Sequence, residues 1–181
     1  MVEAVERVGS IDGRHAGTAL VTALPAPPTF RVNLRARDDA VASLQAALGL
    51  ALPRHPKTSI TEDQRSALWL GPDEWLVIDP EADPMTDLAG VDALHSAVDI
   101  SHRNVGILVV GPRAADALEH GCPQDLSLEA FPVGACSRTI FGKAEIVLWR
   151  GKVDAFRVEC WRSFAPYVMD FLAEATRDAS F

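Results

Sequence analysis

Cysteine is scarce in this chain of 181 residues: Cys122, Cys136 and Cys160 are an odd set, widely spaced and without a CxxC pair. That excludes a disulfide framework and a thiolate zinc site, and reads as buried, reduced thiols in a cytoplasmic protein. The five histidines, His15, His55, His95, His102 and His120, show neither HxH nor HxxxH spacing, so a histidine-built metal site is not expected. Bases are outnumbered, 17 against 25 acids for a net charge of −8. A groove that gains affinity by releasing counterions from nucleic acid needs the opposite balance. No window approaches 18 uninterrupted apolar residues, and the opening "MVEAVERVGSIDGRHAG" has no basic segment leading into an apolar one. The sequence therefore predicts neither a membrane span nor a secretory signal. GxSxG, GxGxxG and GxxxxGK[ST] are all missing, which removes the hydrolase elbow, the dinucleotide fingerprint and the P-loop.

What is present is an ordinary globular composition, 48% apolar and 23% charged. Residues 1–28 are polar, punctuated by Gly9, Gly13 and Gly17 and closed by "PAPP", and are expected to form a flexible N-terminal arm. In "TFRVNLRAR" (29–37), Phe30, Val32 and Leu34 alternate with polar residues, the period of a half-buried strand. The next segment, "DDAVASLQAALGL", changes to helical spacing through Val41, Leu44 and Leu48, with acids at its start and Gly49 at its end. "SALWLGPDEWLVIDP" (66–80) predicts a hairpin around Gly-Pro-Asp-Glu. Strand–helix–hairpin over 29–95 forms one expected subdomain.

The second, 96–181, should carry strands at "SAVDI", "VGILVV", "CSRTIFGKAEIVLWR" (two, around Gly142) and "DAFRVECWR". A helix "PRAADALEH" lies between Pro112 and Gly121, and a last helix capped by Ser163 carries the stripe Phe164, Val168, Phe171 and Leu172. Without βαβ alternation the fold class is α+β, two small packed α/β subdomains with antiparallel or mixed sheets.

"DISHR" (99–103) places an acid, a hydroxyl and an imidazole within four residues. On an extended chain Asp99 and Ser101 share a face, Ile100 faces the core, and His102 points away from Ser101. A triad needs the imidazole within reach of both partners, and chain neighbours cannot supply that. Asp99 and Ser101 are expected instead to tie down the following turn. No residue emerges as catalytic, metal-binding or cofactor-binding. Arg14 and His15 in the arm, Trp75 in the hairpin, and His102 and Arg103 look surplus to the chain's own core and are the expected partner contacts.

In order, "LGPDEWLVI" (70–78), "DISHR", "GCPQDL" (121–126), "FPVGACSRTIFGKAEIVLWR" (131–150) and "RSFAPYVMDFL" (162–172) resemble the folate-dependent aminomethyltransferase (T-protein) superfamily. Asp99, Ser101, His102, Gly111, Ala114, Leu118, Asp125 and Leu126 carry that likeness. Within the superfamily the chain is most similar to the gamma subunits of heterotetrameric sarcosine oxidases. The resemblance implies the T-protein folate-binding fold and a bacterial complex with alpha, beta and delta partner subunits. Such a complex demethylates sarcosine oxidatively to glycine and yields 5,10-methylenetetrahydrofolate and hydrogen peroxide. It also implies that FAD, FMN, NAD, tetrahydrofolate and zinc sit on the partners. The acidic pair that T-proteins carry before the strand equivalent to "EIVLWR" falls here near Lys143 and Ala144, with only Glu145 at the strand's start. The asparagine after the next strand is also missing from "VECWRS". The chain is therefore expected to be a non-catalytic subunit. The alternatives are a free-standing folate-binding or aminomethyltransferase-like protein and, on Ser101 and His102, a peptidase or esterase.

Overall fold

The computed structural model describes residues 9–180, so Met1–Val8 of the expected arm lie outside the described residues. Antiparallel pairing throughout builds two sheets. The first runs in the order β4 (Ser59–Glu62), β5 (Arg65–Gly71), β6 (Glu74–Asp79), β3 (Phe30–Ala36), β7 (His95–Asp99). The second is β1 (Ala16–Gly17), β2 (Thr22–Pro25), β8 (Asn104–Val110), β11 (Ala155–Trp161), β10 (Ala144–Lys152), β9 (Cys136–Phe141). Among the described residues four helices accompany them: α1 (Asp38–Leu48), α2 (Pro84–Leu88), α3 (Ala114–Glu119) and α4 (Ala165–Asp178).

Period-two alternation sends each strand's side chains to two different cores, which makes four layers: helices, sheet, sheet, helices. Val32 and Leu34 of β3 and Trp75 and Val77 of β6 face Val41, Leu44 and Leu48 of α1 and Leu88 of α2. Ile107, Val109, Ile146, Leu148, Phe156 and Val158 of the second sheet face α3 and α4 through Leu118, Val168 and Leu172. Between the sheets, Leu68, Leu76 and Ile78 meet Cys136 and Val147, with Ile100 beside them. Each fully buried Leu, Ile or Val contributes about 1.5–3 kcal/mol.

Several expectations shift in detail. Thr22–Pro25 pairs with Val110–Ile107, so this part of residues 1–28 is a strand of the second sheet and not a flexible arm: Val21 and Ala23 are buried, and β8 offers them a free edge. His95–Asp99 pairs with β3, placing the strand expected to open the second half inside the first sheet. A strand, β4, forms within the segment read as a loop, because β5 presents an open edge to it. Phe164 rather than Ser163 occupies the N-cap of α4, without a side-chain cap, and α3 starts at Ala114 rather than at Pro112. Gly49 ends α1 in the left-handed region, φ 60°. Gly142 is also left-handed, φ 60°, and a Cβ there would come within 2.4 Å of the Tyr167 hydroxyl oxygen.

Candidate functional site

The inter-sheet layer is apolar at one end and polar at the other. Alternation that turns Val32 and Leu34 toward α1 turns Arg31 and Asn33 toward the second sheet, where Arg157 and Glu159 occupy the corresponding face of β11. Arg31 and Glu159 are almost wholly buried, and Arg31 Nε donates to Glu159 Oε2 at 2.6 Å. The other oxygen of Glu159 accepts from Arg157 Nε at 2.7 Å. Arg31 Nη1 also donates to the Thr29 carbonyl, 2.8 Å. This box is closed: a Cβ on Gly106 would lie 2.9 Å from Glu159 Oε1 and 2.9 Å from Ala26 Cβ. Beside it, Glu74 accepts from Asn33 Nδ2 (2.8 Å) and from Arg138 Nη2 (2.6 Å), joining the sheets again. Burial would raise the Glu74 carboxyl, but Arg138 and Asn33 hold it below its usual value.

A small cleft remains between these pairs, about 40 Å³, lined among others by Asn33, Arg103, Asn104, Glu145 and Trp161. Such a volume holds on the order of one or two waters, whereas small-molecule pockets run to roughly 300–1,000 Å³.

The "DISHR" turn closes one side of the cleft mouth. Asp99 Oδ1 accepts from the Ser101 N–H (2.8 Å) and the Ser101 hydroxyl (2.6 Å). The Ser101 Oγ in turn accepts from the Arg31 N–H at 2.8 Å. These Ser101 bonds, aided by the charge of His102, hold the Asp99 carboxyl below its ordinary value. The hydroxyl is thus committed to the turn, and His102 stands exposed beyond it. Asp99 and Ser101 do the structural work expected of them, and they form no triad with His102.

The expected partner contacts end in three different places. His102 and Arg103 are exposed on the turn, and the Arg103 guanidinium lies over the Trp161 ring, 5.2 Å from its centroid. Arg14 and His15 are exposed beside α4, where Arg14 Nη1 pairs with Asp170 at 2.6 Å and the two line a shallow groove with Met169 and Ala173. Trp75 is a correction. It is 1% exposed, packed in the core under α1, and its indole N–H donates to the Pro53 carbonyl at 2.8 Å. Alternation along β6 turns it inward with Val77, so it cannot meet a partner.

Sequence reasoning missed the aromatics at the start of α4: Trp161 is 45% exposed, Phe164 44% and Tyr167 40%. No periodic signal marks Trp161: it shares its face of β11 with the buried Glu159 and is exposed because it ends the strand beside the cleft.

Thiol chemistry is suppressed. Burial pushes Cys136 and Cys160 up to about 12, the latter with help from the Glu159 charge. Among the described residues no three His, Cys, Asp or Glu side chains gather into a metal site. The two positions where the resemblance expects an acidic pair carry no carboxylate. Ala144 is buried in the core of the second sheet, and Lys143 stands exposed on the hairpin with its N–H donated to the Tyr167 hydroxyl at 3.1 Å. Glu145 is exposed and lines the cleft of about 40 Å³.

Residues 34–178 match the model of the sarcosine oxidase gamma subunit family. The chain belongs to that family. The gamma subunit of sarcosine oxidase from Arthrobacter sp is 33% identical over 141 residues, 74% of this chain and 68% of that one. The gamma subunit from Corynebacterium sp. (strain U-96) is 30% identical over 171 residues, 91% of this chain and 83% of that one. Among solved structures, a chain of the heterotetrameric sarcosine oxidase from Corynebacterium sp. U-96, in complex with pyrrole 2-carboxylate, superposes with a TM-score of 0.84 at 28% identity. That match covers 89% of this chain and 86% of the other. The glycine cleavage aminomethyltransferase T from Bartonella henselae shares the fold, with a TM-score of 0.60 at 10% identity over 86% of this chain and 48% of that one. A gamma-subunit chain with a T-protein-like fold and a filled inter-sheet cleft thus agrees with the sequence's own expectation of an α+β subunit.

Proposed function

We propose that this gamma-family chain is a non-catalytic subunit of a heterotetrameric sarcosine oxidase. It serves as a folded partner for alpha, beta and delta subunits that carry FAD, FMN, NAD, tetrahydrofolate and zinc. The assembled enzyme demethylates sarcosine oxidatively to glycine, giving 5,10-methylenetetrahydrofolate and hydrogen peroxide, in the cytoplasm. The observation that carries this reading is the superposition along nearly the whole chain on a chain of a heterotetrameric sarcosine oxidase. The narrow cleft supports the non-catalytic part, since charged side chains already paired with one another fill the space a ligand would need. No helix among the described residues is long and apolar enough to cross a membrane, which is compatible with that location.

Contacts with the partners are assigned to Arg14 and His15 beside α4 and to His102 and Arg103 on the "DISHR" turn, all exposed. Co-expression with the larger subunits should return this chain in stoichiometric amount, while the chain alone should oxidise no sarcosine and titrate no tetrahydrofolate in calorimetry. Full oxidase activity from a complex lacking the chain would overturn the reading, as would micromolar folate binding by the chain alone.

A further inference from the structure

The second sheet is not built from one stretch of chain. Residues 16–25 supply its β1 and β2, residues 30–99 supply all the strands of the first sheet, and the chain then returns at Asn104 to finish the second. The two crossings between the sheets, residues 26–29 and 100–103, are short and lie against one another. The Ile100 N–H donates to the Arg31 carbonyl at 2.9 Å, and the Arg31 N–H to Ser101 Oγ at 2.8 Å. The Ala26 N–H donates to the Gly106 carbonyl at 2.8 Å. If the first sheet opened by itself, β2 could stay on β8 only as the neck of a loop spanning residues 26–106, which chain entropy opposes.

The layer between the sheets is fastened across its breadth. Its middle is apolar, where Leu68, Leu76 and Ile78 meet Cys136 and Val147. On the β3 side the buried Arg31 is paired with the buried Glu159. On the β4 side the Gly134 carbonyl accepts from both the N–H (3.0 Å) and the hydroxyl (2.6 Å) of Ser59. That hydroxyl oxygen accepts in turn from the Trp149 indole N–H at 3.0 Å. Beside it the Cys136 thiol donates to the Thr58 carbonyl at 3.1 Å, and the Cys136 N–H to the Lys57 carbonyl at 3.3 Å. Parting the sheets would expose the apolar middle and break both polar margins together, while each sheet that stayed folded would gain no chain freedom in return.

We propose that the two sheets open as one cooperative unit, so that no form with one sheet folded and the other unfolded lies between the native and the denatured chain. The short crossings and the shared layer act as a clasp: neither sheet can be loosened without loosening the other.

The test is native-state hydrogen exchange on the full-length chain, read by mass spectrometry under conditions where reclosing outruns exchange. Peptides from β3 and β6 report on the first sheet, and peptides from β8 and β11 on the second. Leu44→Ala removes a side chain buried between α1 and the first sheet, and Leu172→Ala one buried between α4 and the second; neither lies in the layer between the sheets. Each should speed the slowest amides of both sheets by the same factor, roughly thirtyfold or more for the loss of a buried leucine. Val41→Ala and Val168→Ala, buried at the same two helix–sheet cores, repeat the comparison with a smaller loss should a leucine variant not fold. Acceleration confined to the sheet that carries the substitution would overturn the proposal. So would wild-type urea unfolding in which tryptophan fluorescence and circular dichroism follow separate transitions.

Discussion

Glu159→Ala should unfold this chain more readily than any surface substitution. The side chain is 1% exposed and accepts from two guanidinium groups, Arg31 at 2.6 Å and Arg157 at 2.7 Å, of which Arg31 is itself only 5% exposed. Removing the acid leaves two cations facing each other in a layer without another carboxylate in contact, and the hydration they lost on folding is not restored. Breaking a buried pair in this way costs about 3–5 kcal/mol. For a chain of this size each kcal/mol moves the midpoint by roughly 2–4 °C, so a drop of about 6–20 °C is expected. Asp170→Ala is the matched control: its bridge to Arg14 is 42% and 74% exposed, and such pairs are worth about 0–1 kcal/mol. The two variants are compared by thermal and urea unfolding followed by circular dichroism. A triple replacement of Arg31, Arg157 and Glu159 by apolar residues of similar volume should recover most of the loss, because the penalty lies in unpaired charge rather than in a missing attraction. A loss below about 1 kcal/mol in Glu159→Ala would refute the argument that this box is dry and closed.

Trp75→Ala should cost about 3–5 kcal/mol through the cavity it leaves, with a further contribution from the Pro53 carbonyl losing its donor. The loss should appear in unfolding of the isolated chain, since Trp75 faces its own core. The Asp99 carboxyl is lower in the folded than in the unfolded chain, so its contribution to stability is present above the ordinary carboxylate range and is lost as pH falls through the depressed folded value. Ser101→Ala should raise that carboxyl and flatten the acid limb of stability against pH, read by carbon-detected titration of Asp99. With Cys136 and Cys160 pushed up to about 12 and Cys122 buried, a thiol reagent at about pH 8 should label none of the three in the native chain and all three in denaturant. Rapid labelling of the native chain would contradict that burial.

Much of the architecture is legible along the chain. β3, α1, the β5–β6 hairpin, β8 and the β9–β10–β11 series follow from alternation, helical spacing and glycine turns, because each element's apolar face repeats at its own period. β1, β2 and β4 were not readable in this way. They are short edge strands whose hydrogen bonds depend on a free edge of β8 or β5 far along the sequence, and their composition alone resembles a loop. Trp69, Trp75, Trp149 and Trp161 look alike in sequence. One of them, Trp75, is buried under a helix, and another, Trp161, is 45% exposed.

The residues alone settled the α+β class, the absence of a serine elbow, dinucleotide or P-loop motif, the local lock of Asp99 on Ser101, and the likeness to sarcosine oxidase gamma subunits. All of these depend on composition, local spacing or the order of short phrases. Which strands share a sheet, which charges are buried together and which aromatics stay outside were decided only by the tertiary structure. Arg31 and Glu159 are 128 residues apart, and nothing local to either one announces the other. Their pairing, the closing of the cleft beside it and the exposure of Trp161 come from two sheets facing one another. Long-range packing of that kind leaves no periodic mark in the chain.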